Sequence, residues 1–176
     1  MRKHLNGRIV ALGLSALRIW LGVQWLQAGY SKLGSEFDAS GFLHGAIASA
    51  SGENPRVQGW YASFLEGVAL PNIELFNILV PWGELLVGLG LISGLATVPA
   101  LIAGAFMNAN FIMAGVGFSS LDGQLFVIAM ILLLIGKSRY YYGLDRFVIP
   151  YFKKHFLSKR GMLEIKGKDT GTGSLS

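Results

Sequence analysis

The stretch "IELFNILVPWGELLVGLGLISGL", Ile73 to Leu95, decides the fold. A transmembrane helix needs about 20 predominantly apolar residues; this run is that long and, besides Glu74 at its start, carries one acid, Glu84, near its middle. Three further runs are of the same kind, so the spans lie at about residues 9–33, 73–95, 100–118 and 121–136. Gly94 suits a helix end and Pro99 a helix start. The short "ATVP" between them makes the second and third spans antiparallel neighbours.

Composition agrees. The chain is 52% hydrophobic and 14% charged, against roughly 25% charge in soluble domains, and its mean hydropathy is +0.50. It lacks the polar residues to cover a soluble surface. The reading is all-α: a four-transmembrane-helix bundle with an extracellular amphipathic helical loop between helices 1 and 2. Residues 1–150 form the transmembrane domain, 34–72 the outer loop, and 151–176 a cytoplasmic basic tail whose end, "GKDTGTGSLS", is disordered by composition.

The net charge of +5 marks topology rather than nucleic-acid binding. Arg2, Lys3 and Arg8 precede the first span, and Lys137, Arg139, Arg146, Lys153, Lys154, Lys159, Arg160, Lys166 and Lys168 follow the fourth. Basic flanks stay inside, so both termini are expected in the cytoplasm and the protein in the bacterial plasma membrane. The first loop sets Lys32 and Arg56 against Glu36, Asp38, Glu53 and Glu66 and belongs outside. The polar residues and length of the first span argue against a cleaved signal peptide.

Within that loop, Asn54 reads as an N-cap with Pro55 at the first helical position. Val57, Trp60, Tyr61, Phe64, Leu65 and Val68 then follow helical spacing, as in an amphipathic helix at the membrane surface. "SGFLHGAIASASG" before it reads as a second short segment.

The polar residues inside the spans carry the functional question. At 100° per residue, Arg18, Gly22, Trp25, Gly29 and Lys32 share one face of the first span. Asn77, Pro81, Glu84, Gly88 and Leu91 do so on the second. Counted inward from the span ends, Arg18, Glu84 and Asn108 come to similar depth. A charge at the bilayer centre costs about 2.5–3.5 kcal/mol, so an Arg18–Glu84 pair completed by Asn108 is expected, with Lys32 snorkelling to the outer interface. The cluster with Trp25 and Trp82 as walls forms the candidate ligand site: Arg18, Trp25, Trp82, Glu84 and Asn108. The blander reading makes the pair a register device, Asn77 and Asn110 interhelical glue, the tryptophans packing or interface anchors, and Asp122 a helix cap.

These stretches resemble a known family. "LRIWLGVQWLQAGYSKL", "PWGELLVGLGLISGLAT" and "GAFMNANF" are similar to the DoxX/DoxD-like membrane proteins, which include the membrane subunit of thiosulfate:quinone oxidoreductase. Arg18, Gly22, Gly29 and Lys32 carry the likeness in the first span; Gly83, Glu84, Gly88, Gly90 and Gly94 carry it in the second. The loop pattern "NP…WY…FLE" and the ending "YGLDRF" are most similar to members from Gram-positive bacteria. The resemblance covers about residues 10–150. It implies a four-helix membrane bundle in a quinone-linked oxidoreductase system, with quinone as the bound group, and assigns no catalytic residue.

The chain itself bounds that chemistry. With no cysteine it ligates no iron–sulfur cluster and forms no disulfide. His4, His44 and His155 all lie outside the apolar runs, which leaves no bis-histidine haem site in the bilayer. "GVGFSS" and "GLGLISG" lack the strand–turn–helix setting of a nucleotide fingerprint, so no flavin site is visible, and no metal site is expected. The electron donor is then a partner redox subunit or the quinone itself. The expected partners are membrane lipid, that subunit and a second copy of the chain. A noncatalytic scaffold, or a small-molecule carrier built on the buried charges, is the alternative.

Overall fold

The computed structural model describes residues 2–135, 143–146, 148, 150 and 151, with side chains from Arg8 onward. The expected tail, and most of the basic cluster after the fourth span, lie outside the described residues. Among them the chain is all-helical. Its α-helices are α1 (Arg2–Leu33), α2 (Ser40–Ala48), α3 (Gly59–Phe64), α4 (Ile73–Ser93), α5 (Thr97–Phe111) and α6 (Leu121–Leu134).

α1, α4, α5 and α6 pack in a ring, each against the next and α6 back against α1. Leu14, Leu21, Trp25, Val87, Leu91, Leu101, Leu125 and Leu132 fill its centre. Three segments, Arg8–Leu33, Gly59–Ser93 and Thr97–Val116, are long and apolar enough to cross a membrane. α6 is apolar but has 14 residues, about 21 Å at 1.5 Å per residue, short of a hydrocarbon core of about 30 Å. Leu79, Trp82, Leu86 and Leu89 are about half exposed on the outside of α4, as lipid-facing residues are.

Glycines set the seam between α1 and α4. A Cβ on Gly88 would stand 2.6 Å from the Leu26 nitrogen, and one on Gly29 would stand 2.7 Å from the Leu85 nitrogen. Only hydrogen fits there, and the backbones approach accordingly. Those contacts fix the register. Gly22 lies against Gly88 and Leu91, Gly29 against Pro81 and Leu85, and Arg18 reaches Gly94. From Glu84 to Gly94 along α4 is about 15 Å at 1.5 Å per residue. The expectation that Arg18 and Glu84 share a depth is therefore wrong: it assumed that both apolar runs begin at a membrane face.

The α4–α5 turn closes one end of the bundle, the turn end. Gly94, in the left-handed conformation at φ 65°, ends α4. At the other end α2 and α3 form a cap with its own core of Leu43, Ala46, Val57, Tyr61, Leu65, Ala69 and Ala114. The loop helix starts at Gly59 with Gln58 as its N-cap, not at Asn54–Pro55; residues 51–58 make bends instead. Its apolar surface is divided. Val57, Tyr61 and Leu65 are buried in the cap, while Trp60, Phe64 and Val68 face outward. The helix continues through a π-helical turn (Leu65–Ala69) and a 3₁₀ turn (Leu70–Asn72) into α4.

Candidate functional site

The two buried charges of the first and second helices belong to separate clusters. At the turn end, Arg18 is 1% exposed, and its Nη1 packs against both Gly94 and Gly143. The charge facing it is Asp145, itself 4% exposed. Asp145 accepts hydrogen bonds from the backbone nitrogens of Ala96 (2.7 Å) and Thr97 (2.8 Å). It thereby supplies a carboxylate to the start of α5, where free N–H groups and the helix dipole favour an anion. Ala96 holds a left-handed φ of 56°, unusual without glycine. In turn the Asp145 nitrogen donates to the Gly94 carbonyl at 2.8 Å. Gly143 to Arg146 is thus the strap that closes the turn end, a role that nothing in its local pattern announces.

Glu84 pairs with Lys32 instead of Arg18. The Lys32 Nζ donates to both carboxylate oxygens, at 2.8 and 2.7 Å, with side chains 26% and 3% exposed. Lys32 does not snorkel outward; it turns back along α1 to the buried acid. Its Nζ stands 5.7 Å from the centre of the Phe37 ring at the base of the cap. Asp122, in the first turn of α6, lies within Coulombic range of both Lys32 and Glu84. Asp122 is not the cap of α6. That is Ser120, whose Oγ accepts from the Gly123 nitrogen at 3.2 Å.

Beside this pair lie buried polar groups with nothing to bond. Asn108 is fully buried, and neither its Oδ1 nor its Nδ2 has a hydrogen-bond partner; the same is true of the Trp25 Nε1. The indole of Trp25 lies on Gly104, one turn from Asn108 on the same face of α5. Gly83 meets Met107 across the α4–α5 seam, which sets Asn108 level with Glu84. So Glu84, held by Lys32, and Asn108 share a level of the bundle, and Trp25 lies about one turn nearer the turn end. Arg18 is removed to the turn end, and Trp82, half exposed, points away from Glu84 on α4. Asn108 does not complete an ion pair. An unsatisfied buried polar group costs about 1–3 kcal/mol, so an asparagine and an indole N–H left this way call for an explanation.

The cap is tied down around this level. Asn77 accepts from the Ala39 nitrogen (2.8 Å) and donates to Asp38 (3.2 Å). The Tyr61 hydroxyl donates to Oδ1 of Asn110 at 3.0 Å. The hydrogen bond from the Ser40 hydroxyl, with those from the Ser40 backbone and Asn77, holds the Asp38 carboxyl below the usual carboxylate range.

A family model, DoxX, matches residues 13–116, more than half of the 176 residues. The chain belongs to the DoxX family. DoxX proteins are associated with membrane redox or quinone-linked functions. No curated protein and no solved structure matches the chain. The matched segment holds Arg18, Trp25, Lys32, Glu84 and Asn108 of this DoxX protein. Asp122 and Asp145, which complete the two charged clusters, fall beyond its end.

Proposed function

We propose that this DoxX protein is the membrane subunit of a quinone-linked oxidoreductase system of the thiosulfate:quinone oxidoreductase type. It lies in the plasma membrane with both termini cytoplasmic, and it binds a quinone-like ligand between Trp25 and Asn108. One observation carries the reading: donors and acceptors of Trp25 and Asn108 are buried and unbonded within about a turn of an ion pair. The indole N–H and the Asn108 amide suit a carbonyl oxygen, and the Asn108 Oδ1 suits the hydroxyl of a reduced ligand. Apolar walls around a few convergent polar groups are the usual make-up of such a site. This chain holds no cysteine, so the electrons come from a partner redox subunit or pass between bound quinones.

The test is Asn108→Leu in protein purified with its native lipid. Since Asn108 bonds to nothing, leucine should leave thermal stability unchanged or raise it. Copurified quinone, measured after solvent extraction, should fall at least severalfold. Unchanged quinone content, or wild type that retains no quinone and binds no analogue, would remove the ligand reading and favour the scaffold.

A further inference from the structure

We propose that the outward face of α1 is where two copies of this protein join in the membrane, with the Gln27 amides of the two protomers bonded to each other. At 100° per residue, Gly13, Ala16, Trp20 and Gln27 fall within about 40° of one line along α1, and all four are exposed. Gly22 and Gly29, which hold α4, lie on the opposite side of the helix. A Cβ added to Gly13 would meet nothing within 4 Å. A helix surface that faces lipid should be apolar, and this one is not. Gln27 is exposed, and Gln24, about 60° round the helix, is half-buried. Neither side-chain amide has a hydrogen-bond partner among the described residues. The α1–α4 seam sets their depth. Leu26 lies against Gly88, and Gly29 against Pro81 and Leu85, which puts Gln27 level with Leu86. On α4 the exposed apolar surface continues past Leu86 to Leu79 and Leu75, about 16 Å farther toward the cap at 1.5 Å per residue. Gln27 therefore lies inside the apolar belt, where lipid tails offer an amide nothing to bond and an unmet polar group is costly.

The occupant is a second copy because the face is complementary to itself. Copies inserted with the same topology bring their first helices together in parallel, about a two-fold axis along the membrane normal. Each residue near that axis then meets its own counterpart. A charge would be repelled there, whereas a glutamine amide both donates and accepts. Between Arg8 and Lys32 the one charged residue is Arg18, which is buried on the far side of the helix. Gly13, Trp20 and Gln27 recur every seven residues, with Ala16 and Val23 between them, the spacing of a left-handed helix pair. Gly13 and Ala16 let the backbones come close, and interhelical amides add hydrogen bonds in lipid. This inference rests on the exposed face of α1 and holds whether or not a quinone binds.

The chain has no cysteine, so single introduced cysteines report contacts between copies. In native membranes treated with a thiol oxidant, Ala16→Cys should give a disulfide-linked dimer. Leu86→Cys and Phe106→Cys, exposed on α4 and α5, should not. Gln27→Leu removes an amide that nothing in its own chain holds, so the bundle stays folded and the association alone changes. Measured by energy transfer between labelled copies in liposomes, it should raise the dimer dissociation constant about tenfold. Gln27→Asn, which keeps an amide, should retain most of the dimer. A wild type that is monomeric in liposomes overturns the proposal. So does a dimer linked through Leu86→Cys or Phe106→Cys rather than Ala16→Cys, or one that Gln27→Leu leaves unchanged. Ala16→Cys crosslinked only to a different protein overturns it too, and gives the face to a partner subunit. None of these outcomes bears on quinone content, so the ligand reading stands or falls separately.

Discussion

The two buried charged clusters of this bundle are built from the same residue types and have opposite characters. At the turn end Arg18 faces Asp145, whose carboxylate is bonded to two backbone nitrogens; both groups are buried. Below the cap, Lys32 pairs with Glu84, stays a quarter exposed, and neighbours an asparagine that bonds to nothing. A buried cluster tied to backbone donors specifies structure. A partly exposed one beside an asparagine with open hydrogen-bonding capacity is where chemistry can occur.

The largest expected effect breaks or secures that contrast. Asp145→Ala should destabilise by about 1.5–3 kcal/mol for each of the two charge-assisted bonds it removes from the Ala96 and Thr97 nitrogens. Asp122→Asn, at a partly exposed acid, should stay within about 0.5 kcal/mol. Equal losses in detergent melts would erase the distinction between the clusters. Next comes the seam between them: Gly88→Ala, forcing a methyl to within 2.6 Å of a backbone nitrogen, should cost about 1–3 kcal/mol.

Double-mutant cycles sharpen the pairing. Lys32→Met with Glu84→Gln should show a coupling of about 0.5–3 kcal/mol. Arg18→Met with Glu84→Gln should be additive within about 0.5 kcal/mol, as expected for distant sites. Coupling in the second cycle would restore the midplane pair that the register denies. The smallest effect concerns the cap. The Asp38 carboxyl is lowered in the folded state, so its contribution is present above the unfolded value, about 3.9, and is lost as pH falls through the lower folded one. Hydrogen exchange of α2 amides should rise over that acid window in wild type and be less pH-dependent there in Asp38→Asn.

Which residues face inward was legible, since helical periodicity depends only on the local chain. Arg18, Gly22, Trp25 and Gly29 are all buried on α1, and Pro81, Glu84, Gly88 and Leu91 on α4. Depth was not legible. It depends on how far two helices slide, and Gly22, Gly29 and Gly88 settle that through contacts with residues of the other helix. Lys32 was misread because a lysine stem reaches equally well outward to water or back to a carboxylate; only the position of Glu84 chooses. Asp145 was missed because its partners, Ala96, Thr97 and Arg18, are remote in sequence. An aspartate that caps a helix from a distant segment leaves no N-cap pattern in front of that helix.

The separate core of the cap constrains the order in which the chain can be assembled. Leu43, Val57, Tyr61 and Leu65 are made early, yet Ala114, in the π-helical turn that follows α5 (Ile112–Val116), closes the same cluster. During synthesis from the N-terminus, the cap must therefore wait until the third long helix has been inserted. The strap comes later still, since Asp145 follows α6. Until then the start of α5 lacks its carboxylate and the turn end stays open. A late polar contact thus locks the start of the third long helix, so a chain truncated before Asp145 is left in an identifiable unfinished state.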